Sequence, residues 1–249
     1  MKIRYGWLTH QGMVRSENQD ALGMSPDHDP ALADPRGVLF VVADGMGGHR
    51  AGRHASELAV STVISSYAGA GSGDIPAILT SAAKEANRLV YKEGSSTPAY
   101  HGMGTTCTAL VLQGARAWVA HVGDSKAFLI NPEGITQITT DHSRVWELYT
   151  RGVITREQAR LHPERNLLTR ALGQHPETDV DLVGPLTIHP GDRFLLCTDG
   201  LTNHVEEREL REAVMRATSA EGAAELVALA NKRGGTDNVS VLIVEIAAD

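Results

Sequence analysis

The sequence predicts an α+β fold in which antiparallel sheets are covered by helices. Two observations carry that expectation. Strand-like stretches follow one another in consecutive groups, and helix-like stretches come in pairs. A parallel α/β sheet would instead alternate strand and helix along the chain. A third observation bounds the core. The chain has 249 residues, 42% of them hydrophobic but only 4% aromatic, so the interior rests on Val, Leu, Ile and Ala.

Six segments read as strands: residues 38–43, 105–112, 117–122, 127–130, 193–197 and 239–246. Each is rich in β-branched or apolar residues and bounded by Gly, Asp, Asn or Pro, which punctuate strands. Four segments read as helices. Ala55, Leu58, Ala59 and Thr62 share one face, as do Leu79, Ala82, Ala83, Ala86 and Val90. Ala223, Leu226, Val227 and Ala230 repeat the same i, i+3, i+4, i+7 spacing, and residues 206–217 form a weaker fourth helix. Between Asp141 and Asn166 lies a polar excursion in which Thr155 and Gln158 have the spacing of a capping box.

Charge and composition exclude several classes of function. The formal net charge is −7, with 21% charged residues, so no basic excess exists to neutralise a nucleic-acid backbone. No apolar run approaches the ~20 residues that span a bilayer, and the first twelve residues lack an apolar signal core. Cys107 and Cys197 each fall inside a strand-like stretch, as reduced buried thiols do. These features point to a cytoplasmic protein.

The acids fall at strand ends. Residues 38–43 run into Asp44-Gly45-Met46-Gly47-Gly48, and residues 117–122 into Gly123-Asp124-Ser125. Residues 193–197 run into Thr198-Asp199-Gly200, and the last strand starts from Gly235-Thr236-Asp237-Asn238. One Asp-Gly is an ordinary turn; four strand-end acids in one chain are a pattern. If the strands before Asp199 and after Asp237 pair antiparallel, both carboxylates reach the same sheet edge. Clustered carboxylates repel unless a cation compensates. An all-oxygen set selects hard divalent ions, Mg²⁺ or Mn²⁺, over zinc. None of the eleven histidines forms a His-Glu-x-x-His pair. Near the start, Arg15 and Asp20 lie close in sequence, which alone is a surface ion pair. Beside a metal centre, Arg15 can fork onto phosphate oxygens and Asp20 can orient water.

In this order, these motifs resemble the PP2C (PPM) family of metal-dependent phosphatases, especially its compact bacterial members. The matching elements begin with Arg15-Ser16-Glu17-Asn18-Gln19-Asp20, Ala43 to His49, and Gly102-Met103-Gly104-Thr105-Thr106. They continue with Val122 to Ser125, Thr140-Asp141-His142-Ser143 and Asn166 to Gly173. Cys197 to Leu201 and Gly235 to Val239 complete the set, which covers the chain almost end to end.

The resemblance implies a four-layer α-β-β-α sandwich of two antiparallel sheets, with residues 1–249 as one domain and a flap over about 143–165. It implies two Mn²⁺ or Mg²⁺ ions, with Asp44 bridging them, the Gly45 carbonyl on one, and Asp199 and Asp237 on the other. Asp20 would bind water on the metals, Asp124 would join Asp199 at a third, weakly held ion, and Arg15 would hold the substrate phosphate. Animal-type members carry histidine where this chain has Met46, so the proton donor to the leaving group is either His49 or water. Lys126 stands where arginine is common, keeping charge without the fork.

The implied reaction is hydrolysis of phosphoserine or phosphothreonine in proteins by metal-activated water, opposing a bacterial Ser/Thr kinase, by a monomer. The alternatives are a hydrolase of small phosphoesters and a pseudophosphatase that binds phosphoproteins without cleaving them. The latter usually loses the metal aspartates, which this chain keeps.

Overall fold

The computed structural model describes residues 2–26, 36–48, 50–71 and 73–248. The chain opens with β1 (Lys2–His10), β2 (Asp20–Ser25) and β3 (Val38–Met46), followed by helices α1 (Arg50–Gly69) and α2 (Ile75–Ser96). Strands β4 (Gly104–Thr105), β5 (Cys107–Gln113), β6 (Arg116–Val122), β7 (Lys126–Asn131) and β8 (Gly134–Gln137) come next. Two short helices, α3 (Arg144–Thr150) and α4 (Arg156–Leu161), precede β9 (Asp181–Thr187) and β10 (Arg193–Cys197). The chain closes with α5 (Asp199–Thr202), α6 (Glu207–Arg216), α7 (Ser219–Lys232) and β11 (Val239–Ala247).

The strands form two sheets, ordered β1-β11-β10-β7-β8 and β2-β3-β5-β6-β9, with β4 paired to β3. Every pairing is antiparallel. Three buried apolar clusters separate four layers. Leu39, Val41 and Ala43 of β3 pack against α1 and α2. Val38, Phe40 and Val42 face the other way, meeting Phe194, Leu196, Leu242 and Val244 of the second sheet. Leu195, Cys197, Val241 and Ile243 cover the remaining face with α6 and α7. The α-β-β-α sandwich is therefore present. It explains why the central strands read as unbroken apolar runs: successive residues point into different cores, and both cores are apolar.

Four strands had no expectation from sequence: β1, β2, β8 and β9. β1, β8 and β9 carry many exposed positions, and all four lie at sheet edges. An edge strand with little buried area carries a weak apolar signal. The capping box at Thr155 and Gln158 is present and starts α4. Asp74 caps α2, its side chain accepting from the Ala77 amide. Among the described residues, no helix is long and apolar enough to cross a membrane.

Candidate metal centre

Strand register brings the acids together. β10 and β11 pair antiparallel with Cys197 opposite Val241, so Asp199 just past one strand and Asp237 just before the other reach the same sheet edge. In the facing sheet, Asp20 at the start of β2 is the register partner of Asp44 near the end of β3. The turn between β6 and β7 adds Asp124. A cavity of about 340 Å³ is lined by Arg15, Asp44, Gly45, Asp124, Asp199 and Asp237, among others. Asp20 is buried, and its Oδ2 accepts hydrogen bonds from Thr198 Oγ1 at 2.9 Å and Ser240 Oγ at 2.7 Å. Gly45 leaves no choice of residue: a Cβ there would lie 2.0 Å from the Gly52 carbonyl oxygen.

The electrostatics are those of a site short of positive charge. Burial, opposed by its two hydroxyl bonds and aided by Asp199 and Asp237, pushes the Asp20 carboxyl up to about 7. Burial and the neighbouring acids hold Asp44 and Asp124 well above the usual carboxylate range, and raise Asp199 also. Asp20 Oδ1 and Asp199 Oδ1 are buried without a hydrogen-bond partner. Such orphaned anionic oxygens are costly unless something cationic meets them. Among the described residues, no three Asp, Glu, His or Cys side chains form a group already arranged to hold an ion. The donor chemistry nevertheless fits hard divalent cations: oxygens alone, mutually repelling, two of them unpartnered.

Arg15 meets the cluster at Asp237. Its Nη2 donates to Asp237 Oδ2 at 2.7 Å. The bond to Asp237 raises the guanidinium pKa further. The sequence neighbour Asp20 is not its partner, because Asp20 turns inward to Thr198 and Ser240. His49 lies outside the described residues. Lys126 keeps the expected positive charge: its Nζ donates to Asp141 Oδ2 at 2.6 Å and to the Asp124 carbonyl at 3.0 Å.

The family model for protein phosphatase 2C matches residues 13–231. The chain belongs to the protein phosphatase 2C family. It is 36% identical over 247 residues to the serine/threonine protein phosphatase PstP of Mycobacterium tuberculosis, an alignment covering 98% of this chain. The chain spans 45% of the length of that relative. It is 37% identical to the serine/threonine phosphatase stp of Listeria monocytogenes serovar 1/2a, covering 95% of this chain and 93% of the relative. Among solved structures, the catalytic domain of PstP in complex with two manganese ions superposes with a TM-score of 0.86 at 35% identity, covering 99% of each chain.

Several residues of this phosphatase-family site escaped individual notice in the sequence, although they stand inside its motifs. Thr106 Oγ1 accepts from the Asp44 amide at 2.8 Å and contacts Ser125 Oγ at 2.7 Å, joining the Asp44 strand to the Asp124 turn. Asn238 anchors the segment that carries Arg15. Its Nδ2 donates to the carbonyls of Gln11 and Glu17, and its Oδ1 accepts from the Gln19 amide, all at 2.9 Å. The segment 143–165 contains α3 and α4, and a bridge between Ser143 and Leu168 closes its base. Arg156 to Glu207, and Arg160 to Glu206 at 3.4 Å, tie α4 to the start of α6. A second, larger cavity of about 490 Å³ lies beneath α4. It shares Asp124 and Asp199 with the first but is not lined by Arg15 or Asp44, so Arg15 and the four strand-end acids meet on the smaller one.

Proposed function

We propose that this chain is a metal-dependent phosphatase that hydrolyses phosphoserine and phosphothreonine in proteins, with residues 1–249 acting as one phosphatase domain. The single observation that carries the reading is the meeting of four strand-end aspartates and one half-exposed arginine on one cavity. The named activities of the PstP and stp relatives support the same reading.

Asp44, Asp199 and Asp237, with the Gly45 carbonyl, are the residues that would hold two Mn²⁺ or Mg²⁺ ions, and Asp124 with Asp199 a third, weaker one. When bound, such ions supply Lewis-acid stabilisation of charge on phosphate and a water ionised near neutral pH. The side chains do the rest. Arg15 swings from Asp237 to non-bridging phosphate oxygens, where its fork binds two at once. Asp20, held by Thr198 and Ser240, accepts a proton from water at its free Oδ1. The 143–165 flap borders the site and shapes access to it. The cysteines are buried, and burial pushes both thiols up to about 12. They are not placed as nucleophiles. The substrates are phosphoproteins made by a Ser/Thr kinase, and the setting is cytoplasmic, with the chain acting as a monomer.

The deciding experiment is phosphate release from a phosphothreonine peptide, in EDTA and then with added Mn²⁺. Release that EDTA abolishes and Mn²⁺ restores supports the reading. Peptide binding without release under any divalent metal overturns it in favour of a phosphoprotein-binding module. Preference for nucleotides or bis-esters points to a small-phosphoester hydrolase.

A further inference from the structure

The turn that carries Asp124 is held by a group of polar residues that the reaction itself does not use. Gly123 has φ +114°, and a Cβ there would stand 2.5 Å from the Thr106 methyl carbon, so the position admits glycine alone. Its peptide is bonded on three sides. The Gly123 carbonyl accepts from the His142 amide at 2.7 Å and from His121 Nε2 at 3.0 Å. The Gly123 amide donates to His142 Nδ1 at 3.0 Å. Both histidines are buried.

One bond fixes the state of the His142 ring. A neutral imidazole has one donor and one acceptor nitrogen. Because Nδ1 accepts from Gly123, Nε2 must carry the proton, and Nε2 faces Asp181 Oδ2 at 3.0 Å. Arg170 Nη1 donates to the other Asp181 oxygen at 2.5 Å. Its 3.1 Å approach to His142 Nε2 is then proximity, since both nitrogens are donors. A parallel chain fixes His121: Nε2 donates to the Gly123 carbonyl, so Nδ1 accepts from Thr108 Oγ1 at 2.9 Å. Burial lowers the pKa of both histidines, His121 to about 3, which keeps the rings neutral and the arrangement single-valued.

The cluster also sits at the root of the flap. Thr169 donates its amide to the His142 carbonyl, and Arg144 donates to the Leu167 carbonyl, on either side of the Ser143–Leu168 bridge. His142 enters the flap and Arg170 leaves it. The chain on both sides of the flap therefore closes at His142, the residue that holds the Asp124 turn.

We propose that His142 is a positioning residue: its Nδ1 fixes the Gly123 peptide and so aims Asp124 into the metal cavity, with Asp181 and Arg170 setting its tautomer. That Asp124 faces a metal rests on the function proposed above; the hold on Gly123 does not. Outer partners of this kind are what keep metal-binding groups in place.

The test uses the metal-free full chain first. Ring nitrogen-15 spectra at neutral pH read the His142 tautomer directly, and amide hydrogen exchange reads the Gly123 bond. Three variants separate the roles. Asn carries an oxygen near the place of Nδ1, so His142→Asn keeps an acceptor for Gly123 while losing Asp181. His142→Ala loses both. Asp181→Asn, at an edge strand, leaves the ring present and serves where His142→Ala fails to fold. The expected results are an Nε2-protonated His142 and Gly123 exchange on the order of tenfold faster in His142→Ala, as loss of about 1.4 kcal/mol gives. His142→Asn should recover most of that protection. In Mn²⁺ calorimetry, the weakest class of sites should loosen in His142→Ala and recover in His142→Asn. An Nδ1-protonated ring, or His142→Asn exchanging at Gly123 as fast as His142→Ala, overturns the proposal. Wild-type protein that passes these tests yet releases no phosphate counts against the phosphatase reading and leaves this one standing.

Discussion

Arg15 and Asp237 are 222 positions apart in the chain, yet their side chains meet at 2.7 Å across the mouth of the acidic cavity. The Arg15 side chain is 50% exposed and that of Asp237 only 20%. The cation is thus the solvent-facing member of the pair and the one free to turn. Its loop is held by Asn238 rather than by the bond to Asp237 itself. A phosphate dianion entering the cavity offers the guanidinium a stronger, bidentate partner than a single carboxylate oxygen.

Arg15→Ala should therefore weaken substrate binding more than turnover. A lost charge-assisted bond of about 1.5–3 kcal/mol corresponds to a KM roughly 10- to 100-fold higher. Steady-state kinetics on a phosphothreonine peptide in saturating Mn²⁺ measure it. A KM equal to that of the parent chain would remove Arg15 from the substrate.

How far this site was legible in sequence depended on range. The aspartates at the ends of central strands were visible because each followed an unbroken apolar run, and register then carried Asp199 and Asp237 to one edge. The partner of Arg15 was not visible. Sequence proximity favours Asp20, whereas β2 begins at Asp20 and turns that side chain inward to Thr198 and Ser240. Likewise β1 pairs along its whole length with β11 at the opposite end of the chain. Its alternation of Ile3, Tyr5 and Trp7 with Lys2, Arg4 and Gly6 is a strand signal that the reading passed over, because most of the strand is exposed. The grip of His142 on Gly123 is a contact between two turns 19 positions apart, of which only the motif membership could be read beforehand.

Removing one of the repelling acids should have opposite effects with and without metal. Asp44→Asn keeps shape but deletes a buried charge that burial and four neighbouring acids disfavour. In EDTA the variant should melt higher than the parent by a few degrees, since about 1 kcal/mol shifts Tm by roughly 2–4 °C in a chain of this size. With Mn²⁺ the order should reverse, and turnover should vanish. Thermal melts in both conditions measure it; a lower Tm in EDTA would show that the carboxylate is favourably held without an ion.

Acid stability should carry the signature of His121. Its ring is buried and neutral, with a pKa pushed down to about 3 against an ordinary value of 6.5. Below 6.5 the unfolded chain takes up a proton that the folded chain refuses. The stability from this group is thus complete above pH 6.5 and is lost progressively as pH falls toward 3, at up to about 1.4 kcal/mol per pH unit. Urea unfolding of metal-free protein at several pH values between 7.5 and 5 gives the slope. His121→Asn should flatten it by one proton. An unchanged slope would mean that the ring charges without unfolding.

Metal uptake should release protons below neutrality. In the metal-free chain the Asp20 carboxyl is pushed up to about 7, so near pH 6 it is largely protonated in the folded state. Asp44, Asp124 and Asp199 are raised as well. A divalent cation in the cavity favours every ionised form, and the displaced protons pass to the buffer. Calorimetric titration with Mg²⁺ in buffers of different ionisation enthalpy counts them. The count should be larger at pH 6 than at pH 8, where Asp20 is already ionised, and affinity should rise with pH over the same interval. Asp20→Asn should lower the count at pH 6 by up to one proton and flatten the affinity profile, because it removes the group whose ionisation falls in that window. Equal counts at pH 6 and pH 8 would mean that Asp20 does not change its protonation over that interval, against the upward push of its burial.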